Sequence, residues 1–155
     1  MLELLAGLAM ILTTAADDEA VVRKMIETKY AKENACDATY AEDYVTDDAT
    51  EYLPNYLRAM PKEPESEIRD FEAFCAAGGK SLNEPDIQMI ERIADDVILV
   101  TGIGSIEVTR PDGTLDYDGE YSFTNIFVKT VDGWRVRHLH VAPIIPDLPT
   151  VPARD

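Results

Sequence analysis

Four segments in the second half of the chain decide what it can fold into. Residues Asp86 to Ala94, Val97 to Val108 and Asp116 to Thr130 are long and rich in β-branched and aromatic side chains. Arg110-Pro111-Asp112-Gly113 places proline and glycine where a hairpin turn needs them. Val131-Asp132-Gly133 then turns the chain into a last strand, Trp134 to Val141. Strands in succession with short turns between them predict an antiparallel meander. Gly102 and Gly104 inside the second strand predict a bend or bulge.

The first half reads as helical. Asp17-Asp18-Glu19 puts acids at the positive end of a helix dipole, and Val22, Met25, Ile26 and Tyr30 follow at helical spacing. That helix should run to about Asn34. A shorter one is expected over Ala38 to Val45, with Ala41, Tyr44 and Val45 facing inward. Thr46-Asp47-Asp48 should break it, and Ala49 to Leu53 should form a short strand ended by Pro54. Asn55 to Glu65 reads as a loop or lid. Ser66 to Ala77 is a third helix with Ile68, Phe71, Phe74 and Cys75 as its stripe and Gly78-Gly79 as its stop. Helices followed by a run of antiparallel strands make an α+β domain with helices on one sheet face. A pocket between the layers follows.

At 155 residues, 46% of them apolar, the chain suits one domain with a sizeable core. Thirty acids against fourteen bases give a formal charge of −16, which excludes nucleic acid as a partner and disfavours anionic membranes. Met1 to Ala16 is nearly all apolar, with Glu3 its one charge. It is short for a membrane span and has the length of a signal-peptide apolar region, with Thr14-Ala15-Ala16 at the expected cleavage point. An extra N-terminal helix is the competing reading. Residues 17–142 are then the domain proper, and the four-proline stretch 143–155 is a tail. The protein is expected in the periplasm or secreted if the segment is a signal, otherwise in the cytoplasm. Cys36 and Cys75 permit one disulfide in an oxidising compartment, or two reduced, partly buried thiols in the cytosol.

The candidate site lies on the last strand. His138 and His140 are the only histidines, and two-residue periodicity sets them on one face with Trp134 and Val136. Arg135, Arg137, Leu139 and Val141 then share the other, outer face. On that reading the imidazoles point into the pocket, where His138 could act as acid or base near neutral pH. Tyr121, Phe123, Asn125 and Phe127 make the corresponding stripe on the preceding strand, and Asn125 could polarise a carbonyl. Tyr30 and Tyr52 are the tyrosines expected to reach a ligand, with Phe123, Trp134 and His140 as further contacts. His-x-His is also a metal-ligand spacing. Glu91 could add a third ligand, but the expected site holds no metal and no organic cofactor.

Four stretches in this order resemble the nuclear-transport-factor-2-like superfamily, and within it SnoaL-like and ketosteroid-isomerase-like proteins. They are Lys32-Glu33-Asn34-Ala35-Cys36-Asp37, Tyr44-Val45-Thr46-Asp47-Asp48-Ala49, the hairpin strands, and Asp132-Gly133-Trp134 with the strand after it. The resemblance implies a cone-shaped, curved antiparallel sheet wrapped around N-terminal helices, an α+β barrel with an apolar pocket and a homodimer packed through the outer sheet face. It does not imply one reaction. Steroid isomerisation by that family's mechanism is disfavoured, since Leu53 stands where its general-base aspartate would be and Asn125 where its acidic donor would be. Its first-helix tyrosine falls near Lys29, one residue from Tyr30. Cofactor-independent acid/base chemistry on a small apolar molecule, of isomerase, cyclase or dehydratase type, remains open. So do non-catalytic ligand binding and a dimerisation module.

Overall fold

The computed structural model describes residues 15–41, 43–52, 60–61 and 64–145. Helix α1 spans Ala15–Asn34 and a 3-10 turn spans Ala38–Ala41. Strands β1 (Val45–Tyr52) and β2 (Met60–Pro61) precede helix α2 (Pro64–Ala76). Strands β3 (Lys80–Ala94), β4 (Val97–Thr109), β5 (Leu115–Thr130) and β6 (Gly133–Pro143) complete the fold. They form one sheet in the order β2-β1-β6-β5-β4-β3. The class is α+β, as expected. The sheet is mixed rather than wholly antiparallel, because β1 runs parallel to β6, and it stays open between β2 and β3. Signal-like residues 1–14, the expected strand end at Leu53 and Pro54, most of the loop or lid expected over Asn55 to Glu65 and most of the proline-rich tail lie outside the described residues; Ala15 and Ala16 open α1.

Helical spacing on α1 works as its sequence implies. Val22 and Ile26 are fully buried, with Met25 and Tyr30 packed beside them, against Ile98, Val100, Phe123, Phe127, Trp134 and Val136 of the sheet. Three elements differ from the sequence expectation, the first being β1, which begins at Val45 and runs through the break expected at Thr46-Asp47-Asp48. The second helix is only a 3-10 turn: Asp37 accepts the Thr39 amide at 2.9 Å, and Asp43 turns left-handed at φ 57° two residues after the turn ends. Strand β3 starts six residues early because residues 80–85 have no apolar period of their own, yet pair with 104–109 of β4. Pro85 is tolerated there since β3 is an edge strand. Asn34 locks the same stretch from α1, donating to the Asn83 carbonyl at 2.9 Å and accepting its amide at 2.7 Å. A disulfide joins Cys36, just past α1, to Cys75 in α2.

The glycines of β4 make room for rings. Gly102 pairs with Phe123 and Gly104 with Tyr121. A Cβ on Gly104 would meet the Tyr121 ring at 2.6 Å, and one on Gly102 the Phe123 ring at 2.6 Å. Both aromatic side chains of β5 therefore lie flat across β4, which carries the Tyr121 hydroxyl to the Asn83 side chain.

The decisive irregularity is in β6. Phe127 pairs with Val136, but Ile126 pairs with His138, so Arg137 is an extra residue without a partner on β5. Such a bulge reverses the inward/outward phase of every residue after it. Trp134 and Val136 face the helices; beyond Arg137, the inward residues are Leu139 and Val141 and the outward ones are His138 and His140. The expectation that both histidines share the inner face with Trp134, and that Leu139 and Val141 face outward, is corrected here. Strict period-2 counting carried across the bulge produced it.

At one end of the core sits a buried carboxylate. Asp18 is only 5% exposed. Trp134 Nε1 donates to it at 3.0 Å, Lys129 Nζ lies 3.2 Å from both oxygens, and Arg92 also donates to it. Burial alone would raise its pKa, but the donors from Trp134, Arg92 and Lys129 outweigh burial and hold it below the usual carboxylate value. A depressed folded-state pKa stabilises above the unfolded value of 3.8, and that contribution is lost as pH falls through the lower folded value. Asp18→Asn should therefore cost about 2 kcal/mol at pH 7 by denaturant unfolding. The gap to wild type should close as pH falls below about 4; a gap constant down to pH 2 would show that the charge is not its source. Independently, Gly104→Ala should lower stability by about 1–3 kcal/mol through overpacking against Tyr121. An unchanged melting temperature would show that the ring moves away freely.

Candidate functional site

A cavity of about 460 Å3 opens between α1, the 3-10 turn and the inner face of the sheet. Its apolar wall includes Ile106, Leu139, Val141 and Pro143; its polar side includes Tyr30, Tyr44 and Tyr121 with Asn83, and Tyr40 and Tyr117 also line it. Lys29, Glu33 and Glu51 add charge, and Lys29 Nζ is committed to Glu33 at 2.5 Å. The Lys29 ammonium also stands over the Tyr30 ring, 4.0 Å from its centroid. That ion pair leaves the cavity without a net cation.

Tyr121 donates to Asn83 Oδ1, whose backbone is fixed by Asn34. Tyr30 and Tyr121 line the same cavity and act on one another electrostatically. The Tyr30, Tyr44 and Tyr121 phenols are all raised above the ordinary value. Burial is the largest cause in each; Glu33 adds most for Tyr30, and the neighbouring Tyr30 phenol for Tyr44 and Tyr121. They stay protonated at neutral pH and act as donors.

The residues read from the sequence as a site are distributed over three places. Tyr30 lines the cavity. Phe123 and Trp134 are buried core, the indole N–H being held by Asp18. Asn125 faces inward but is 2% exposed and lies beneath the cavity, its amide close to the Tyr44 phenol. His138, His140 and Tyr52 are on the outer sheet face. His138 Nδ1 is 2.7 Å from Thr50 Oγ1, and Tyr52 meets His140 edge-on at 5.6 Å between centroids. The imidazoles therefore do not reach the cavity, and His138 has no acid/base role there. Glu91 shares the outer row of His138 but stands three strands away, about 14 Å at ~4.8 Å per strand, too far to complete a metal site.

Glu51, Asn83 and the polar role of Tyr121 were not legible. Glu51 sits on a strand that begins four residues before the sequence suggests, opposite Leu139. Asn83 lies in the unpatterned start of β3. Tyr44 was read as inward-facing, and the structure agrees; the signal that could have separated it from core is a hydroxyl on a buried ring.

The SnoaL-like domain model matches residues 63–146. No curated protein sequence matches the chain. Solved structures agree on the fold. A conserved protein from Planctomyces limnophilus superposes with a TM-score of 0.67 at 19% identity, over 83% of this chain and 99% of that one. A ketosteroid isomerase-like protein from Erwinia carotovora atroseptica gives 0.66 at 16% identity, over 84% and 98%. ActVI-ORFA from Streptomyces coelicolor gives 0.62 at 19%, over 84% and 98%. At these identities the likeness is one of fold alone. With the family model covering more than half of the sequence, the chain belongs to the SnoaL-like domain family.

Proposed function

We propose that the protein binds a small, largely apolar molecule in the tyrosine-lined cavity. The observation that carries this reading is a hollow of about 460 Å3, within the range of small-ligand sites, with an apolar wall and several tyrosines in its lining. Acid/base chemistry on the bound molecule is a second reading, favoured by Glu51 and Glu33 beside protonated phenols. It assigns the carboxylates, not His138, as proton acceptors. The Cys36–Cys75 disulfide favours an oxidising compartment.

The outer face supports a homodimer. Leu99, Ile126, His138 and Thr50 form one row and Thr101, Thr124, His140 and Tyr52 the next, with Met89 and Ile103 exposed beside them. In a chain with 30 acids, these rows carry no charged group from β4 to β1 apart from what the imidazoles gain on protonation. A second copy, presenting the same neutral face, is the occupant this composition suits.

Two measurements test these readings. Ile106→Trp, which fills the cavity, should weaken binding of the apolar fluorophore N-phenylnaphthylamine at least about tenfold, or roughly 1.4 kcal/mol; unaltered binding in a folded variant counts against the pocket. Thr124→Arg places like charges face to face across a two-fold axis, so sedimentation should change from dimer to monomer mass. A wild-type monomer at micromolar concentration would end the dimer reading.

A further inference from the structure

Helix α1 carries a second stripe beside the one that packs the core. Val21, Lys24, Met25, Thr28 and Lys32 recur at i+3 and i+4 spacing, one residue out of step with Val22 and Ile26, so they share a neighbouring face. That face is one wall of a second hollow, of about 370 Å3, completed by Thr39 of the 3-10 turn, Asp43 and Arg135 of β6. Its charge runs against the composition of the chain. Of fourteen bases in a protein with thirty acids, Lys24, Lys29, Lys32 and Arg135 line this one hollow, and Asp43 is the one carboxylate among its described lining residues. Lys29 is neutralised by Glu33 at 2.5 Å. Lys24 is held only loosely, 3.7 Å from Glu27 with both side chains exposed. Lys32 donates to an uncharged acceptor, Thr39 Oγ1, at 2.7 Å, and that hydroxyl in turn donates to the exposed Asp37. The Arg135 side chain is 16% exposed, yet the carboxylate it meets at 3.1 Å, Asp43, is 87% exposed. A guanidinium largely withdrawn from water thus faces a counter-ion that stays in water, and such a screened pair compensates little of the charge. Its bonds to Asp43 and to the Trp134 carbonyl use two of its five N–H donors.

We propose that this second hollow binds a small organic acid, its carboxylate paired with Arg135 and drawn by Lys32, its apolar body lying on Val21 and Met25. The site is distinct from the tyrosine cavity and does not rest on the reading of that cavity. Three features select the chemistry. A planar carboxylate matches the guanidinium fork, as Asp43 already shows at the same group. Val21 is 48% exposed and Met25 is half-buried beside it, so α1 offers apolar surface that a hydrocarbon or aromatic body would take out of water. A bare inorganic anion would leave that surface wet. An acidic macromolecule, in contrast, would meet the remaining charge of a chain at −16, whereas a small acid engages only the local cations. The volume is in the range of small-ligand sites and suits a frame of one or two rings.

The test titrates isotope-labelled protein with 2-naphthoate and with its neutral isostere 2-naphthamide, followed by backbone amide NMR shifts. Naphthoate should shift the Met25, Thr39 and Asp43 signals saturably and bind at least about fivefold tighter than naphthamide. Arg135→Gln should weaken naphthoate about tenfold and Lys32→Gln about threefold, each leaving naphthamide within about twofold. Arg23→Gln removes a cation from an exposed position of the same helix outside the hollow, and should leave both probes within about twofold. If Arg135→Gln does not fold, Lys32→Gln against Arg23→Gln decides alone. Equal affinity for the acid and the amide overturns the proposal, since the attraction is then apolar. An equal loss in Arg23→Gln and Lys32→Gln overturns it too, because the effect then belongs to net charge and not to the hollow. Shifts confined to Ile106, Leu139 and Val141 would put the acid in the tyrosine cavity and also overturn it. So would the absence of a saturable shift up to about 10 mM naphthoate. The tyrosine-cavity reading is judged separately, by N-phenylnaphthylamine and Ile106→Trp.

Discussion

The bulge at Arg137 is held from the neighbouring strand. The Arg137 guanidinium donates to the Asp48 carbonyl and pairs with the Asp48 carboxylate at 3.2 Å, at the point where β1 also slips register against β6. Two irregular strands thus brace each other, and the exposed ion pair matters more for geometry than for stability. Everything on β6 beyond this point depends on it. Leu139 and Val141 become cavity wall, and the imidazoles become outer-face polar groups tied to Thr50 and Tyr52. Without the extra residue, the cavity would be lined by two histidines and the outer face by two aliphatic side chains.

The rest of the molecule divides into a locked end and a hollow end. Around Asp18 the core is filled by Trp134, Val22 and Ile26, and the buried Asp18 carboxylate is satisfied by three donors. Toward Tyr44 and Tyr121 the same two layers separate, and hydroxyls replace aliphatic contacts. The glycines of β4 make this possible, because Tyr121 can lie across the sheet only where its neighbour has no Cβ. Cavity shape therefore follows from backbone choices on β4 and β6 more than from the residues that touch the hollow.

Much of the fold was legible in local pattern. The α1 stripe, the Pro-Asp-Gly turn and the β4–β5 alternation each declare themselves within a few residues, since helical and strand periods are local properties. The bulge is not local: its only trace in the sequence is an apolar phase running Trp134, Val136 and then Leu139, Val141, which period-2 counting reads as two opposite faces. That single slip misplaced His138 and His140. Asn83 and Glu51 were hidden for another reason. Their strands are extended by pairing partners distant in sequence, not by their own residues. Tyr30 was found because it sits on a helix whose spacing is regular.

The phase of β6 past Arg137 is the claim on which the cavity assignment stands. Methyl-resolved nuclear Overhauser spectra of the free protein test it directly. Leu139 and Val141 methyls should show contacts to the rings of cavity tyrosines, and the His138 and His140 ring protons should show contacts to Thr50 and Tyr52 instead. Contacts from either imidazole to Tyr30, Tyr44 or Tyr121 would contradict the account and return the histidines to the cavity.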